Sequence, residues 1–188
     1  METKCIGNYI KVVSCKDGAL SAVASDASLD RDGEIILLSA WGKYLDRYRS
    51  NPVILAAHAH RSLDGTPTII GSASAIEADD QALSFAMTFA KTSLAKEWQS
   101  LFEDGHAKAF SVGFIPMKGE WREDPASERG VYVHTEVELL EISAVAVPAN
   151  PSALARDANP QDLERLIDAR IQKALEKWIV TQHLSRIK

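Results

Sequence analysis

The chain has 188 residues, of which 46% are hydrophobic and 25% are charged, and this balance excludes a disordered or collagen-like chain. The length suits one domain with at most an appendage. The 21 basic and 26 acidic residues give a formal charge of −5, which argues against a general nucleic-acid binder.

Short stretches rich in Val, Ile and Leu, separated by turn residues, predict a mainly β domain. Asp79-Asp80 marks a hairpin between two of these stretches. So many short strands in one domain indicate a barrel or a sandwich. The predicted strands are Tyr9–Ser14, Ala19–Ala24, Glu34–Leu38, Thr68–Ile76, Leu83–Phe89, Ala109–Ile115 and Val131–Val147.

Two short helices interrupt the strand pattern. The first is predicted over Trp41–Tyr48, where aromatic and apolar residues recur at helical spacing, and it stops before Asn51-Pro52. The second is predicted over Leu94–Phe102, after the N-cap candidate Thr92, and it ends at Asp104-Gly105.

The C-terminal part differs from the rest, and we divide the chain into a β-barrel domain at 1–155 and a linker with an amphipathic helix at 156–188. No Gly or Pro occurs from Gln161 to Ile187, and apolar residues recur every three or four positions. Two uses of this helix stay open: packing on its own domain, or self-association and binding of a scaffold partner. The stripe comprises Leu163, Leu166, Ile167, Ile171, Ala174, Leu175, Trp178 and Ile179.

Cysteine usage and apolar run lengths bear on the compartment. Cys5 and Cys15 lack CxxC spacing and are interpreted as free thiols in a reducing compartment. No secretion signal is visible at the start, and no apolar run approaches the roughly 20 residues that a membrane helix needs. We therefore expect a soluble intracellular protein.

A serine lies in the segment from Ala109 to Phe114. In a strand, Phe110, Val112 and Phe114 face one side, while Ser111 faces the other with only small neighbours. A substrate could approach such a hydroxyl closely, as a nucleophile requires, although small residues beside a structural serine are also common in sheets.

Two histidines end the apolar segment that begins at Asn51-Pro52, and we expect them on one face of a strand. An unperturbed imidazole titrates near pH 6.5, so His58 is a candidate general base. His58 and His60 are also a candidate metal pair, although zinc needs at least a third ligand and none is recognisable by spacing. A third interpretation is two polar residues at a strand end.

A carboxylate lies in the last predicted strand. If side chains alternate throughout, Glu141 and Ser143 share the apolar face of Val137 and Leu139, where a carboxylate is costly unless it is paired. A β-bulge would turn Glu141 to the other face. The functional interpretation is a group that orients an imidazolium, so that serine, histidine and glutamate would support acyl transfer.

Taken together, these segments resemble the prohead serine proteases of tailed phages, a family similar in fold to herpesvirus assemblin. The resemblance spans roughly residues 8–155, and its parts occur in the family's order. The matching segments are Asp30–Ile36, Asn51–Leu55 followed by His58, Thr68–Gly71, Ser111–Phe114, and Leu140–Ser143 with Pro148–Pro151.

The resemblance implies a single closed or partly closed antiparallel β-barrel with a few flanking helices, and the long C-terminal helix lies outside the shared pattern. It implies Ser111 as the nucleophile, His58 as its general base and Glu141 as the third member, where the herpesvirus relatives have a histidine. Backbone N–H groups of Ala149 and Asn150 are then candidate oxyanion donors.

The implied function is a serine endopeptidase that acts in the host cytoplasm, inside the immature capsid, on scaffold and capsid-protein segments and on itself. Self-cleavage would fall in the span Ala149–Asn159, and the expected protease needs no cofactor, nucleic acid or membrane. Two other functions stay open: a non-catalytic capsid- or scaffold-binding module that works through the C-terminal helix, and a metal-binding barrel that uses His58 and His60.

Overall fold

The computed structural model describes residues 19–124 and 127–155. Within these residues the fold is mainly β, with a curled half-barrel sheet and few helices. Its elements are β1 (Ala19–Ser25), β2 (Glu34–Ile36), a 3₁₀ helix (Leu38–Trp41), α1 (Leu45–Ser50), β3 (Val53–Ala56), β4 (Ile69–Ala78), β5 (Leu83–Phe89), α2 (Ser93–Glu103), β6 (Ala109–Asp124) and β7 (Ser127–Val145).

The strands form one sheet in the order β1-β5-β4-β3-β7-β2. β2 and β3 pair with different parts of β7, and β6 also pairs with β7, antiparallel to it. The β4–β5 hairpin confirms the turn expected at Asp79, whose carboxylate accepts hydrogen bonds from the N–H groups of Gln81 and Ala82. The expectation of a wholly antiparallel sheet is wrong, because β2 and β3 both pair parallel to β7. A parallel pair needs a long crossover, and β4, β5, α2 and β6 supply it between β3 and β7.

The two ends of the sheet approach each other through the residues that follow β7. Val23 of β1 donates its N–H to the carbonyl of Leu154, and Phe110 of β6 donates to the carbonyl of Ala153. Ala155 in turn donates to the carbonyl of Lys108 at 2.6 Å. Full closure into a barrel stays a prediction.

The hydrophobic core lies inside the curl of the sheet, with the helices packed on it. Phe110 stacks on Phe102 of α2 with 5.1 Å between ring centroids, and it meets Phe85 edge-on at 5.0 Å. Thr92 caps α2 as expected, because its hydroxyl accepts a hydrogen bond from the N–H of Ala95. Phe110 is fully buried, and Val112 and Phe114 are partly buried against the core, so the face predicted as bulky on β6 does point into the core.

The first predicted helix is divided. The region expected as one helix over Trp41–Tyr48 contains the end of the 3₁₀ helix, a turn, and then α1. The apolar residues at helical spacing are buried in both pieces: Trp41 in the 3₁₀ helix, and Leu45 and Tyr48 in α1. The predicted strand Tyr9–Ser14 and the C-terminal helix lie outside the described residues.

Candidate active site

His58 stands on a left-handed turn directly after β3. Ala57 and His58 have φ angles of 51° and 58°, which are uncommon for residues with a side chain and are enriched at functional positions. The turn is anchored to β7, because Ala57 donates its N–H to the carbonyl of Ala144 at 2.8 Å and His58 donates its N–H to the hydroxyl of Ser143 at 3.2 Å. The expectation that both histidines continue a strand on one face is therefore wrong.

The imidazole of His58 is paired with a buried carboxylate. Its Nδ1 lies 2.6 Å from Oε1 of Glu141, whose side chain is 8% exposed, and the hydroxyl of Ser143 donates to Oε2 of Glu141 at 2.5 Å. The hydrogen bond to Glu141 raises the pKa of His58, and partial burial offsets only part of this effect. Since a carboxylate only accepts hydrogen bonds, the neutral imidazole carries its proton on Nδ1 and leaves Nε2 as a base.

A β-bulge turns Glu141 away from the core. Gly113 of β6 pairs with Glu141, but the next residue, Phe114, pairs with Leu139, so Leu140 is an extra residue on β7. Leu139 and Ile142 both belong to the hydrophobic core, while Glu141 faces the opposite side. The sequence left two arrangements open for this segment, regular alternation and a β-bulge. The bulge is the one observed, and it keeps the Glu141 carboxylate off the apolar face.

Gly113 leaves the room that the Glu141 carboxylate occupies. A Cβ atom at position 113 would overlap the carboxyl group of Glu141. The segment of small residues on β6 therefore has a structural reason at this position: it lets a side chain from the neighbouring strand lie flat across it.

Ser111 lies on the same face of the sheet as Glu141. It pairs with Ser143 of β7 and is 7% exposed. Within the part of the chain that the structure describes, its hydroxyl makes no hydrogen bond to another residue. An unpartnered hydroxyl that is nearly buried and borders a cavity is available to a ligand.

Ser111 and His58 line the same cavity, which has a volume of about 350 Å³. Asp26, Asp30 and Glu34 contribute carboxylates to its walls, and each already accepts a hydrogen bond from the protein. The remaining lining residues are Ala24, Ser25, Ser28, Asp32, Ile36, Val112, Phe114, Ala149 and Asn150. The cavity therefore brings together the serine, the histidine and the proposed oxyanion residues from distant parts of the chain.

The loop that carries Ala149 and Asn150 is held by its side chains. Asn150 donates from Nδ2 to Oδ1 of Asp26 at 2.9 Å, and its Oδ1 accepts the N–H of Ser152 at 2.8 Å. Partial burial disfavours the charged form of Asp26, but hydrogen bonds from Ser28, Asn150 and Ser152 outweigh it and lower the pKa of Asp26 to about 2. Asp26 therefore stays ionised and keeps Asn150 in place.

His60, the second histidine of the segment, is exposed and does not line the cavity. In the described ranges, no group of three or more His, Cys, Asp or Glu side chains is arranged to hold a metal ion. The alternative of a metal-binding barrel therefore has no third ligand there to join His58 and His60.

Sequence reasoning gave no role to Ser143, His134 or Arg31. Ser143 supports both Glu141 and the His58 turn. His134 is buried in β7 and lies 2.9 Å from the Glu34 carboxylate through Nε2, while its Nδ1 has no partner in the described part of the chain. A signal existed for Ser143, because it follows Glu141 by two residues and thus shares its face in a strand.

Comparison with protein families places the chain. The model of the caudovirus prohead serine proteases matches residues 26–165, a range that includes the His58 turn, Ser111 and Glu141. The chain belongs to this family. Membership assigns the chain as a serine protease, in preference to the alternative of a non-catalytic binding module.

The prohead protease of Escherichia phage T5 is a relative of this prohead serine protease. The two sequences are 33% identical over 168 residues, which cover 82% of this chain and 72% of the T5 protein. No solved structure matches the chain. None of the described helices combines the length and the apolar character needed to cross a membrane.

Proposed function

We propose that this prohead protease cleaves peptide bonds with Ser111 as the nucleophile, His58 as the general base and Glu141 as the group that orients and stabilises the imidazolium. The observation that carries the proposal is the Nδ1–Oε1 distance of 2.6 Å between His58 and Glu141, in a site where His58 and Ser111 border one cavity. Family membership supports the reaction class.

In the first step, Nε2 of His58 takes the proton of the Ser111 hydroxyl while the oxygen attacks the substrate carbonyl. Because Glu141 accepts the Nδ1 proton, the imidazole presents a free lone pair on Nε2 and its cationic form is stabilised. The tetrahedral intermediate then collapses when the imidazolium donates its proton to the leaving amine. An acyl-enzyme on Ser111 remains.

In the second step, water attacks the acyl-enzyme with His58 again as the base, and Ser111 is released. The negative oxygen formed in each step needs hydrogen-bond donors. Ala149 and Asn150 line the cavity, and in the described residues their backbone N–H groups have no acceptor. A correctly aimed donor of this kind contributes about 3 kcal/mol to transition-state stabilisation.

The substrates we propose are scaffold and capsid-protein segments inside the immature capsid, together with the protease itself. Self-cleavage cannot occur over Ala149–Ala155 without damage, because Asn150 and Ala153 are buried and Ala155 is hydrogen-bonded to Lys108. We therefore place the proposed self-cleavage within residues 156–159, which lie outside the described residues.

The test is co-expression of the full chain with its capsid and scaffold proteins, followed by mass spectrometry of the products. Ser111→Ala should abolish processing of all three proteins and the labelling by a phosphonofluoridate. Ser72→Ala is the matched control, because Ser72 is an exposed serine on β4 outside the cavity, and it should process normally. Processing or labelling that persists in Ser111→Ala would show that another residue is the nucleophile.

A further inference from the structure

The segment Asp30–Glu34, which carries part of the family resemblance, folds into a tight turn before β2. The carboxylate of Asp30 accepts the N–H groups of Asp32 at 2.9 Å and of Glu34 at 2.8 Å, and the N–H of Asp30 donates to the carbonyl of Glu34. Gly33 has a φ of 81°, which a residue with a side chain rarely adopts. This turn fixes the backbone of Arg31 against the loop that follows β7.

Arg31 holds two consecutive carbonyl groups of that loop. Its guanidinium Nη1 donates a hydrogen bond to the carbonyl of Pro148, and its backbone N–H donates to the carbonyl of Ala149 at 3.0 Å. Pro148 is buried, so its carbonyl depends on a protein donor instead of water.

These two bonds determine where the next two N–H groups point. A trans peptide unit is planar, with its C=O and N–H in opposite directions, and the described chain contains no cis peptide bond. The carbonyl of Pro148 shares a unit with the N–H of Ala149, and the carbonyl of Ala149 shares one with the N–H of Asn150. Because both carbonyls point toward Arg31, both N–H groups point away from it.

Both N–H groups lack an acceptor among the described residues, although Ala149 and Asn150 border the cavity that contains Ser111. The positive guanidinium on the Pro148 carbonyl also polarises that peptide unit, which makes the Ala149 N–H a stronger donor. Arg31 is thus connected to the cavity through the backbone of the loop.

We propose that Arg31 is a positioning residue that aims the N–H groups of Ala149 and Asn150 at the oxyanion formed on Ser111, an inference that rests on the function proposed above. Arg31 does not touch the substrate in this arrangement. It acts through two peptide units, and its backbone bond survives every substitution except proline, so only the Pro148 anchor is lost in an alanine variant.

The experiment uses the full chain and a fluorine-labelled peptidyl trifluoromethyl ketone, which forms a hemiketal with an active serine. The pKa of the hemiketal hydroxyl, followed by fluorine NMR, reports how well the site stabilises an oxyanion. Arg31→Ala should raise this pKa by about one unit and lower kcat roughly tenfold, with KM for a cleavable peptide nearly unchanged. Arg31→Lys, which keeps a cationic donor, should recover part of both effects.

Arg49→Ala is the matched control. Arg49 donates from Nη2 to the carbonyl of Ile76 at 2.7 Å, so it makes the same kind of bond away from the cavity. Its kcat and hemiketal pKa should equal those of the wild type, and thermal unfolding should show that the variants remain folded. If Arg31→Ala does not fold, Arg31→Lys is measured instead. Its ammonium cannot reproduce the guanidinium geometry, so its hemiketal pKa should lie above the wild-type value, and an equal value would overturn the proposal.

The outcomes separate this proposal from the one on which it rests. An unchanged hemiketal pKa in Arg31→Ala would overturn the positioning role, whether or not the melting temperature falls. A rise in KM alone would also overturn it and would show that Arg31 contacts the substrate. A wild-type protein that forms no hemiketal on Ser111 would overturn the proposed nucleophile, and the role of Arg31 with it.

Discussion

At the scale of single residues, the proposed mechanism makes the pairing of His58 with Glu141 responsible for the pH range in which the protease can work. The base must be neutral, and its pKa is raised above the ordinary value of 6.5 by the hydrogen bond to Glu141. Activity is therefore expected to fall as the pH drops through this raised pKa. The acid limb of kcat/KM for the wild type should lie above pH 6.5.

Glu141→Gln should move that acid limb to lower pH, because an uncharged amide no longer favours the imidazolium. It should also reduce kcat by as much as about 10⁴-fold, since the imidazole loses the group that fixes its tautomer. The measurement is kcat/KM against pH with a peptide substrate. Glu138→Gln is the control, because Glu138 belongs to the same strand but pairs with Arg47 outside the cavity. An acid limb that stays in place in Glu141→Gln would contradict the assignment.

Gly113→Ala should disturb the same pair without altering either partner. The added methyl would overlap the Glu141 carboxylate, so the side chain must shift at a cost of about 1–3 kcal/mol. We expect a lower kcat and a lower pKa for His58 in an NMR titration. Gly42→Ala should change neither quantity, because Gly42 has a helical φ of −58° and only an ordinary contact with Ser39. Equal His58 titration curves in the two variants would refute the argument.

At the scale of elements, the bulge on β7 lets Leu139 lie in the core while Glu141, two residues later, lies on the opposite face. Deleting Leu140 would remove the bulge and still leave Glu141 on that opposite face, because Glu141 would then directly follow Leu139 in a regular strand. We therefore expect peptide cleavage to persist, with a lower melting temperature in thermal unfolding because the local twist that the bulge gives β7 is lost. Leu140→Ala should stay active, because Leu140 is 48% exposed. Loss of cleavage in a deletion variant that still folds would contradict this expectation.

The elements show what sequence patterns can predict. Leu83–Phe89 has the predicted bounds because its alternation is uninterrupted and both ends carry turn residues. The left-handed turn at Ala57 and His58 could not be predicted, since its strain is supported by hydrogen bonds from β7, far along the chain. The parallel pairings of β7 were missed for a similar reason: local alternation carries no information about which strand becomes the neighbour.

At the scale of the whole molecule, residues 153–155 connect the two ends of the sheet, and this connection can be tested by truncation. A chain that ends at Asn150 loses three backbone hydrogen bonds, to β1 and to the start of β6, worth roughly 3 kcal/mol in all. It also loses the fully buried Ala153. We expect the chain that ends at Asn150 to have a lower melting temperature and no processing activity. A chain that ends at Ala155 should keep both its melting temperature and its processing activity.

The prediction would be contradicted if the chain ending at Asn150 had the same melting temperature and the same processing activity as the chain ending at Ala155. Residues 153–155 would then contribute nothing to the fold or the site. The comparison is matched, because both truncated chains lack residues 156–188 and differ in five residues alone.

Much of the candidate site followed from the family resemblance, because Ser111, His58 and Glu141 each lie in a matching segment. The structure adds the reason for their neighbours: Gly113 gives Glu141 room, and Ser143 supports it. Arg31 was not recognised as part of the site, because a hydrogen bond between residues 117 positions apart leaves no trace in local spacing.

The separation of the candidate site residues along the chain determines when, during synthesis and folding, proteolytic activity can begin. Translation delivers the proposed base and nucleophile first, and the strand carrying Glu141 and the Ala149–Asn150 loop leave the ribosome afterwards. Contacts between such distant segments form slowly, because the intervening chain must first be closed into a loop. If the proposed mechanism holds, a half-synthesised copy lacks part of its site, and cleavage must wait until residues 153–155 have joined the sheet.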